Sequence, residues 1–347
     1  MLVYNLYLLV ASVLAIFYEI RNKQEKDRIF ICILGGLGLL LISALRSADV
    51  GKDLQNYLPA FDVCASEAWG GGGLLRYEPG YLILCKSISF ISTSHQFFIA
   101  SISFLTLAGP IYFIYRNSKN PAVSYFLYVA MTFFAFSMSG LRQAIATSVI
   151  LCGYHFLSNR SVLKFLGAVF FASMFHFTAL VYIIAYPVTK LEIRKKTIVL
   201  YIVLLSFLYI VKKPFLIFVV GNFADQYSAT LNSSDSFTYM LTMIVVLISG
   251  LLVRRKVIKI NPKNSLLYNL IFLAALFQLL GSESSNIVRI AELFYMVVLV
   301  FIPEVINSVK KKNHRLLLYI SVMLITGVQF IYIFPGGGYG VNPYQVY

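Results

Sequence analysis

The chain has 347 residues, of which 59% are hydrophobic, 16% aromatic and only 12% charged, too few polar side chains to cover a soluble globule of this size. Its formal charge of +15 lies in short clusters between apolar runs, which argues against a single basic face for nucleic acid and fits the cation bias of membrane loops. The lack of alternating strands excludes a porin-like barrel, so the composition predicts an all-α, polytopic helical membrane protein, a single transmembrane domain over 1–347.

Ten spans follow in chain order: Met1–Ile20, Ile29–Leu45, Phe97–Tyr115, Ala122–Met138, Gln143–Leu157, Thr197–Val211, Met240–Val253, Leu266–Leu280, Ile287–Ile306 and Leu316–Phe334. The first has no basic leader or convincing cleavage site and reads as a retained helix. Two further apolar stretches are short or interrupted. Tyr81–Ile91 is brief, and Phe165–Pro187 is broken by Phe175-His176-Phe177. Each reads as a span or as re-entrant half-helices, giving about 10–12 transmembrane helices in all.

Cations choose between the topologies. Placing the loops around Arg21–Arg28, Arg116–Lys119, Arg160–Lys164, Lys190–Lys196, Arg254–Lys263 and Lys310–Arg315 in the cytoplasm puts 21 of the 29 cations inside. That choice makes the Tyr81 and His176 segments hairpin-like and leaves both chain ends outside. Arg46, Lys52, Arg76, Lys86, Arg142, Lys212, Lys213 and Arg289 are then left at the outer boundary. An arginine within hydrocarbon costs about 2.5–3.5 kcal/mol or more, so these cations form the short list for an anionic ligand.

The sharpest local pattern is Arg46-x4-Gly51-x-Asp53-x3-Tyr57, in the outer loop 46–79. Gly51 permits a turn, and Asp53 can cap a helix carrying Tyr57; the plain alternative is a capped interfacial helix start and nothing more. Gly70–Gly73 reads as a hinge. Glu78-Pro79-Gly80-Tyr81 opens the next apolar stretch, and Glu78 is either a residue favoured by the helix dipole or a second carboxylate sharing a vestibule with Asp53. Arg142-Gln143 starts a helix containing Ala144, Ala146, Thr147 and Ser148, small residues that leave room for another group. Arg142 either snorkels or binds phosphate, for which its planar donor set is suited.

His176 lies between phenylalanines, as a packing residue or as an intramembrane base; His95 and His314 read as incidental. Arg289 stands near Glu283 and Glu292, where an ion pair within one helix is the plain reading. The four cysteines have no metal-ligand spacing, although Cys64 and Cys85 are candidates for pairing in an oxidising compartment. No metal site, no cofactor motif and no Ser/His/Asp triad is expected.

These pieces, in order, resemble the EpsG family of polysaccharide polymerases, related to the Wzy-type O-antigen and exopolysaccharide polymerases. The resemblance rests on Arg46 with Gly51-x-Asp53 and Tyr57, Glu78-x-Gly80-Tyr81, Arg142-Gln143, Phe175-His176-Phe177-x-Ala179-Leu180, Arg289, and Asn342-Pro343-Tyr344. Lys52-Asp53-Leu54 departs from it, since family members often carry a threonine beside the aspartate. The resemblance implies a GT-C-like glycosyltransferase of the bacterial inner membrane. It would join undecaprenyl-diphosphate-linked oligosaccharides at the outer face, alongside membrane lipids, a flippase and a chain-length regulator, with no nucleic acid partner.

The expected catalytic groups are Asp53, Glu78 and His176, one of them accepting the acceptor hydroxyl's proton. The expected substrate contacts are Arg46, Tyr57, Arg76, Arg142, Gln143 and Arg289. Attack opposite the leaving diphosphate would invert the anomeric centre. The rival readings are a transporter or flippase of anionic lipid-linked sugars, which also places cations near broken helices, and a ligase-like transferase using a different acceptor.

Overall fold

The computed structural model describes residues 1–21, 23–66, 77–223, 237–281, 285–336 and 339–347; within these, side chains at 213, 215–223, 237–238, 285–286 and 336 are left undescribed. Helices make up the fold: α1 (Leu2–Ile20), α2 (Glu25–Ala44), α3 (Leu54–Ser66), α4 (Pro79–Ile91), α5 (His95–Asn117), α6 (Pro121–Ala130), α7 (Phe133–Ser139), α8 (Leu141–Cys152), α9 (Tyr154–Ser158) and α10 (Val162–Ser173). A 3-10 helix over Phe177–Ile184 leads to α11 (Ala185–Val188), α12 (Lys195–Phe223), α13 (Phe237–Ile260), α14 (Ser265–Gly281), α15 (Ser285–Tyr295), α16 (Val298–Asn307) and α17 (Lys312–Ile333). Among the described residues there is no strand, only an isolated antiparallel bridge between Arg46 and Val346.

The protein is therefore an all-α, multi-pass membrane protein. Among the described residues six helical stretches are long and apolar enough to cross a bilayer, or seven if α6 and α7, bent by 59°, form one broken span. The sequence-based tally of 10–12 also drew on shorter apolar helices, and Pro79–Ile91, Leu141–Cys152, Val162–Ser173 and Phe177–Val188 are each of only 10–17 residues.

The chain divides into two compact units. The first comprises Met1–Phe156, Leu163–Leu180 and Val309–Tyr347. Its centre is α6, on which every residue from Pro121 to Ala130 is buried; a helix apolar on all sides belongs inside a bundle. By contrast, α1, α2 and α17 present rows of exposed Leu, Ile, Val and Phe, the surface that a lipid-facing helix needs. Polar atoms join the helices where hydrocarbon offers them nothing: Ser43 to Ser103 (2.8 Å), Tyr7 to the Gly35 carbonyl (2.9 Å), Asn120 to the Ala15 carbonyl (3.2 Å) and Gly109 N–H to Ser148 Oγ (2.8 Å).

This unit is polarised along its helices. At one end buried Glu19 accepts Arg315 (2.7 Å) and Lys23 (3.1 Å), Lys312 reaches the Ile20 carbonyl, and Arg28 reaches Tyr115. At the other end lie the start of α1, the loop after α2 and the final residues of the chain. There the Met1 amine donates to Asn342 (3.0 Å), Ser47 N–H to Gln345, and Gly51 N–H to Gly340 (2.9 Å each). The basic residues Lys23, Arg28, Lys312 and Arg315 of this unit thus collect at the end away from Arg46.

Both ends of α4 lie at this second end, because α4 finishes at Ile91 just before α5, whose Gln96 reaches the Ala44 carbonyl at the end of α2. The His176 segment also doubles back: Arg160 donates to the Thr189 carbonyl (2.8 Å), so the chain that leaves Arg160 returns to it, with His176 at the turn between α10 and the 3-10 helix.

The second unit comprises Leu157–Val162 and Val181–Ser308 and packs around α14. Buried Asn269 donates to the carbonyls of Val188 (2.7 Å) and Leu191 (2.9 Å) and accepts from Tyr201 (3.1 Å). Tyr201 stacks on Phe272 at 4.2 Å, and Phe277 on Phe294 at 5.3 Å. A buried amide with partners on both sides of its plane fixes which face of α14 meets α11 and α12.

Candidate active site

Two turns of the first unit dock against each other and create the site. The Gly80 N–H donates to the Met174 carbonyl (2.9 Å), and a Cβ at position 80 would lie 2.7 Å from both the Met174 carbonyl oxygen and its Cβ. Only glycine lets the start of α4 come this close. Contact between the turns brings Glu78 to His176: Oε1 accepts from the Phe177 N–H (3.2 Å) and lies 3.1 Å from His176 Nδ1. Arg142, at the start of α8, donates from Nη1 to the other oxygen, Oε2.

Glu78 sits at the N-cap position of α4 but its carboxylate does not cap the helix. Burial alone would raise its pKa, yet the hydrogen bond with His176 and the charge of Arg142 outweigh that and hold it down at about 2. An ionised carboxylate has no proton to give, so Nδ1 is the donor in this pair, which leaves Nε2 as the ring nitrogen not engaged by Glu78.

Arg142 is held on several sides. Its Nε donates to the Tyr57 hydroxyl (3.4 Å), and its guanidinium carbon lies 5.0 Å from the Tyr77 ring centre and 5.9 Å from that of Tyr57. The side chains of Arg142, Glu78 and His176 remain 22%, 18% and 21% exposed, so a ligand can reach them. Tyr77 was missed in the sequence; its only signal was its place immediately before Glu78.

Asp53 borders the same cluster. Its N–H donates to Ser139 Oγ (3.3 Å), and its carboxylate lies within electrostatic reach of the Tyr57 phenol. Gly51 sets this loop at φ +116°, and a Cβ there would meet the Met138 carbonyl oxygen at 2.5 Å, so the turn expected at Gly51 is a requirement of the fold.

Other expected residues lie elsewhere. Arg46 is 1% exposed, donates to Ser43 Oγ (2.7 Å), and is enclosed by the C-terminal segment. Gln143 is buried in the packed interior. The small residues after it are buried too, and Ser148 binds the Gly109 N–H and the Leu105 carbonyl; the group they admit is α5. Arg289 is an exposed residue of α15 in the second unit. Arg76, Glu67, Glu283 and the Gly70–Gly73 hinge lie outside the described residues, as does the Lys213 side chain. Cys64 and Cys85 are free and buried, and near enough for each thiol to influence the other. Among the described residues no three His, Cys, Asp or Glu side chains are grouped to hold a metal.

The EpsG family model matches residues 28–346, which include every member of the cluster. The chain belongs to the EpsG family. In broad terms that membership fits a polysaccharide-polymerase role. Comparisons with curated proteins and with solved structures give no match. In this EpsG-family protein, then, the matched region contains one half-exposed cluster that joins a carboxylate, an imidazole and a guanidinium.

Proposed function

We propose that this EpsG-family protein is a GT-C-like glycosyltransferase that polymerises undecaprenyl-diphosphate-linked oligosaccharides at the outer face of the bacterial inner membrane. The observation that carries the reading is the double engagement of Glu78 by His176 and Arg142. It supplies a base and a cation side by side, the two groups that glycosyl transfer from a diphosphate needs.

The acceptor hydroxyl gives its proton to His176 Nε2 while its oxygen bonds to the anomeric carbon of the growing glycan. The bond between that carbon and the diphosphate oxygen breaks. The diphosphate leaves with the electron pair, stabilised by the Arg142 guanidinium in a poorly hydrated setting. Attack and departure on opposite sides invert the anomeric centre. Glu78 is the positioning residue that fixes the imidazole tautomer and aims Arg142, while Asp53 and Tyr57 form the rim that meets the sugars. Buried Arg46 acts by bracing the loop that carries Gly51 and Asp53. Apolar grooves between α1 and α2 and between α2 and α5 offer surfaces for a polyprenyl tail.

The test is polymerisation by purified protein in proteoliposomes supplied with lipid-linked repeats. His176→Ala and Arg142→Ala should each abolish chain extension while the protein stays folded. Full chain length and rate in both variants would overturn the reading. Vectorial movement of the lipid-linked repeat without new glycosidic bonds would favour a transporter.

A further inference from the structure

Within the second unit, three separate stretches of sequence converge on a cavity of about 830 Å³. Its walls come from Ser158–Arg160, Thr189–Arg194, the last turns of α13 and the stretch from Pro262 to Leu266. Seven cationic side chains line it and only one carboxylate, Glu192. The proposed transfer chemistry uses none of them.

Some of these cations are fixed in place by the protein itself. Arg160 donates to the Thr189 carbonyl (2.8 Å), Lys263 to Asn159 Oδ1 (2.6 Å) and Arg254 to the Leu251 carbonyl (3.2 Å). Arg194 is paired with Glu192 at 2.6 Å, which cancels the cavity's one acid. Lys190, Arg255 and Lys259 remain exposed, the last two one turn apart on α13. Leu191, Ile193, Ile258 and Leu266 add an apolar wall.

A solvated basic membrane face explains a run of cations in each loop. It does not explain why loops and helix ends from three separate stretches gather them around one concavity, since like charges brought together repel unless an anion neutralises them. The volume falls within the ~300–1,000 Å³ usual for small-molecule sites, larger than one phosphate requires. Guanidinium and ammonium donors above an apolar wall suit phosphate oxygens attached to an organic body.

We infer that this cavity is a binding site for an organic anion bearing two phosphate groups, separate from the cluster at Glu78. Two sources share that chemistry: the headgroup of a two-phosphate anionic lipid, and a soluble diphosphate-bearing compound.

The test uses full-length protein purified in detergent and reconstituted in nanodiscs. Binding of inorganic pyrophosphate is measured by calorimetry in detergent. Thermal stabilisation is measured in nanodiscs of phosphatidylcholine with and without cardiolipin. The variant is Arg255→Gln with Lys259→Gln; the control is Lys310→Gln with Lys311→Gln in a basic loop of the first unit. The inference predicts saturable binding of pyrophosphate, or stabilisation by cardiolipin, weakened about tenfold or more in the cavity variant and unchanged in the control. Pyrophosphate binding without lipid identifies a soluble ligand, and a response to cardiolipin alone identifies a lipid. Equal weakening in both variants, or no response to either compound, overturns the inference. Polymerisation activity is not part of the readout, so the result is independent of the proposed transferase reaction.

Discussion

Replacing Glu78 with glutamine keeps its size and removes its charge. The carboxyl sits at about 2 instead of the model-compound value of 4.5. At about 1.4 kcal/mol per pKa unit, its surroundings favour the anion by roughly 3 kcal/mol. If all of that serves to hold His176 and Arg142 in reacting geometry, Glu78→Gln lowers kcat by at most about 300-fold, because about 1.4 kcal/mol corresponds to tenfold in rate. Single-turnover extension of a lipid-linked repeat in proteoliposomes measures this directly. Because Glu78 acts in part through His176, the losses from Glu78→Gln and His176→Ala should combine to less than their product. The stability sign follows from the depressed pKa. The advantage of wild type over Glu78→Gln is fully present above the unfolded value near 4.5 and disappears as pH falls through about 2, so the difference in Tm should hold steady down to about pH 5 and shrink below it. A folded Glu78→Gln protein with wild-type rate, or a double variant whose losses multiply, would refute the reasoning.

Four other outcomes are expected. Arg142→Lys keeps the charge but cannot reach Tyr57 and Glu78 together, and should lower kcat about 10- to 100-fold with little change in Tm, read from chain-length ladders and unfolding curves. Gly80→Ala places a Cβ against the Met174 carbonyl and should cost roughly 1–3 kcal/mol of stability along with activity, seen as a lower Tm in detergent. Deleting 339–347 removes the backbone bonds to Ser47, Gly51 and Lys52 and uncovers Arg46, and should lower Tm by several degrees, roughly as the loss of a few net hydrogen bonds would. Oxidation with diamide should join Cys64 to Cys85 and leave Cys32 and Cys152 unlinked, as mapped by peptide mass spectrometry.

Apolar run length and cation placement made the helical membrane fold legible, because both follow from transfer energies that act residue by residue. Breaks inside the runs were less visible. The expected span Ala122–Met138 bends by 59° at Met131–Thr132, where Thr132 takes φ +63°, and no proline or glycine marks the place. That bend belongs to the surrounding packing, in which every residue of α6 and α7 is buried. The span expected over Gln143–Leu157 likewise stops at Cys152 and restarts at Tyr154. The site was legible in its residue types but not in its pairings: separations of 64 residues between Glu78 and Arg142 and 98 between Glu78 and His176 have no local signature. The small residues after Arg142 looked like space for a ligand because the sequence does not say which neighbour fills it.

The two doubled-back segments now have a common reason. A straight transmembrane helix would carry Glu78 or His176 past the level of Arg142 within a turn or two, since each residue advances about 1.5 Å. A helix start and a chain reversal instead present a few consecutive groups at one level: Glu78 at the head of α4, and His176 with the Phe177 N–H where α10 gives way to the 3-10 helix. Both turns have short, interrupted apolar stretches on either side for that reason. The close approach at Gly80 and Met174 sets their spacing, so the carboxylate reaches the imidazole and the backbone N–H with one oxygen and Arg142 with the other. The glycine contact and the ion pair thus act together to hold an imidazole and a guanidinium on either side of one carboxylate.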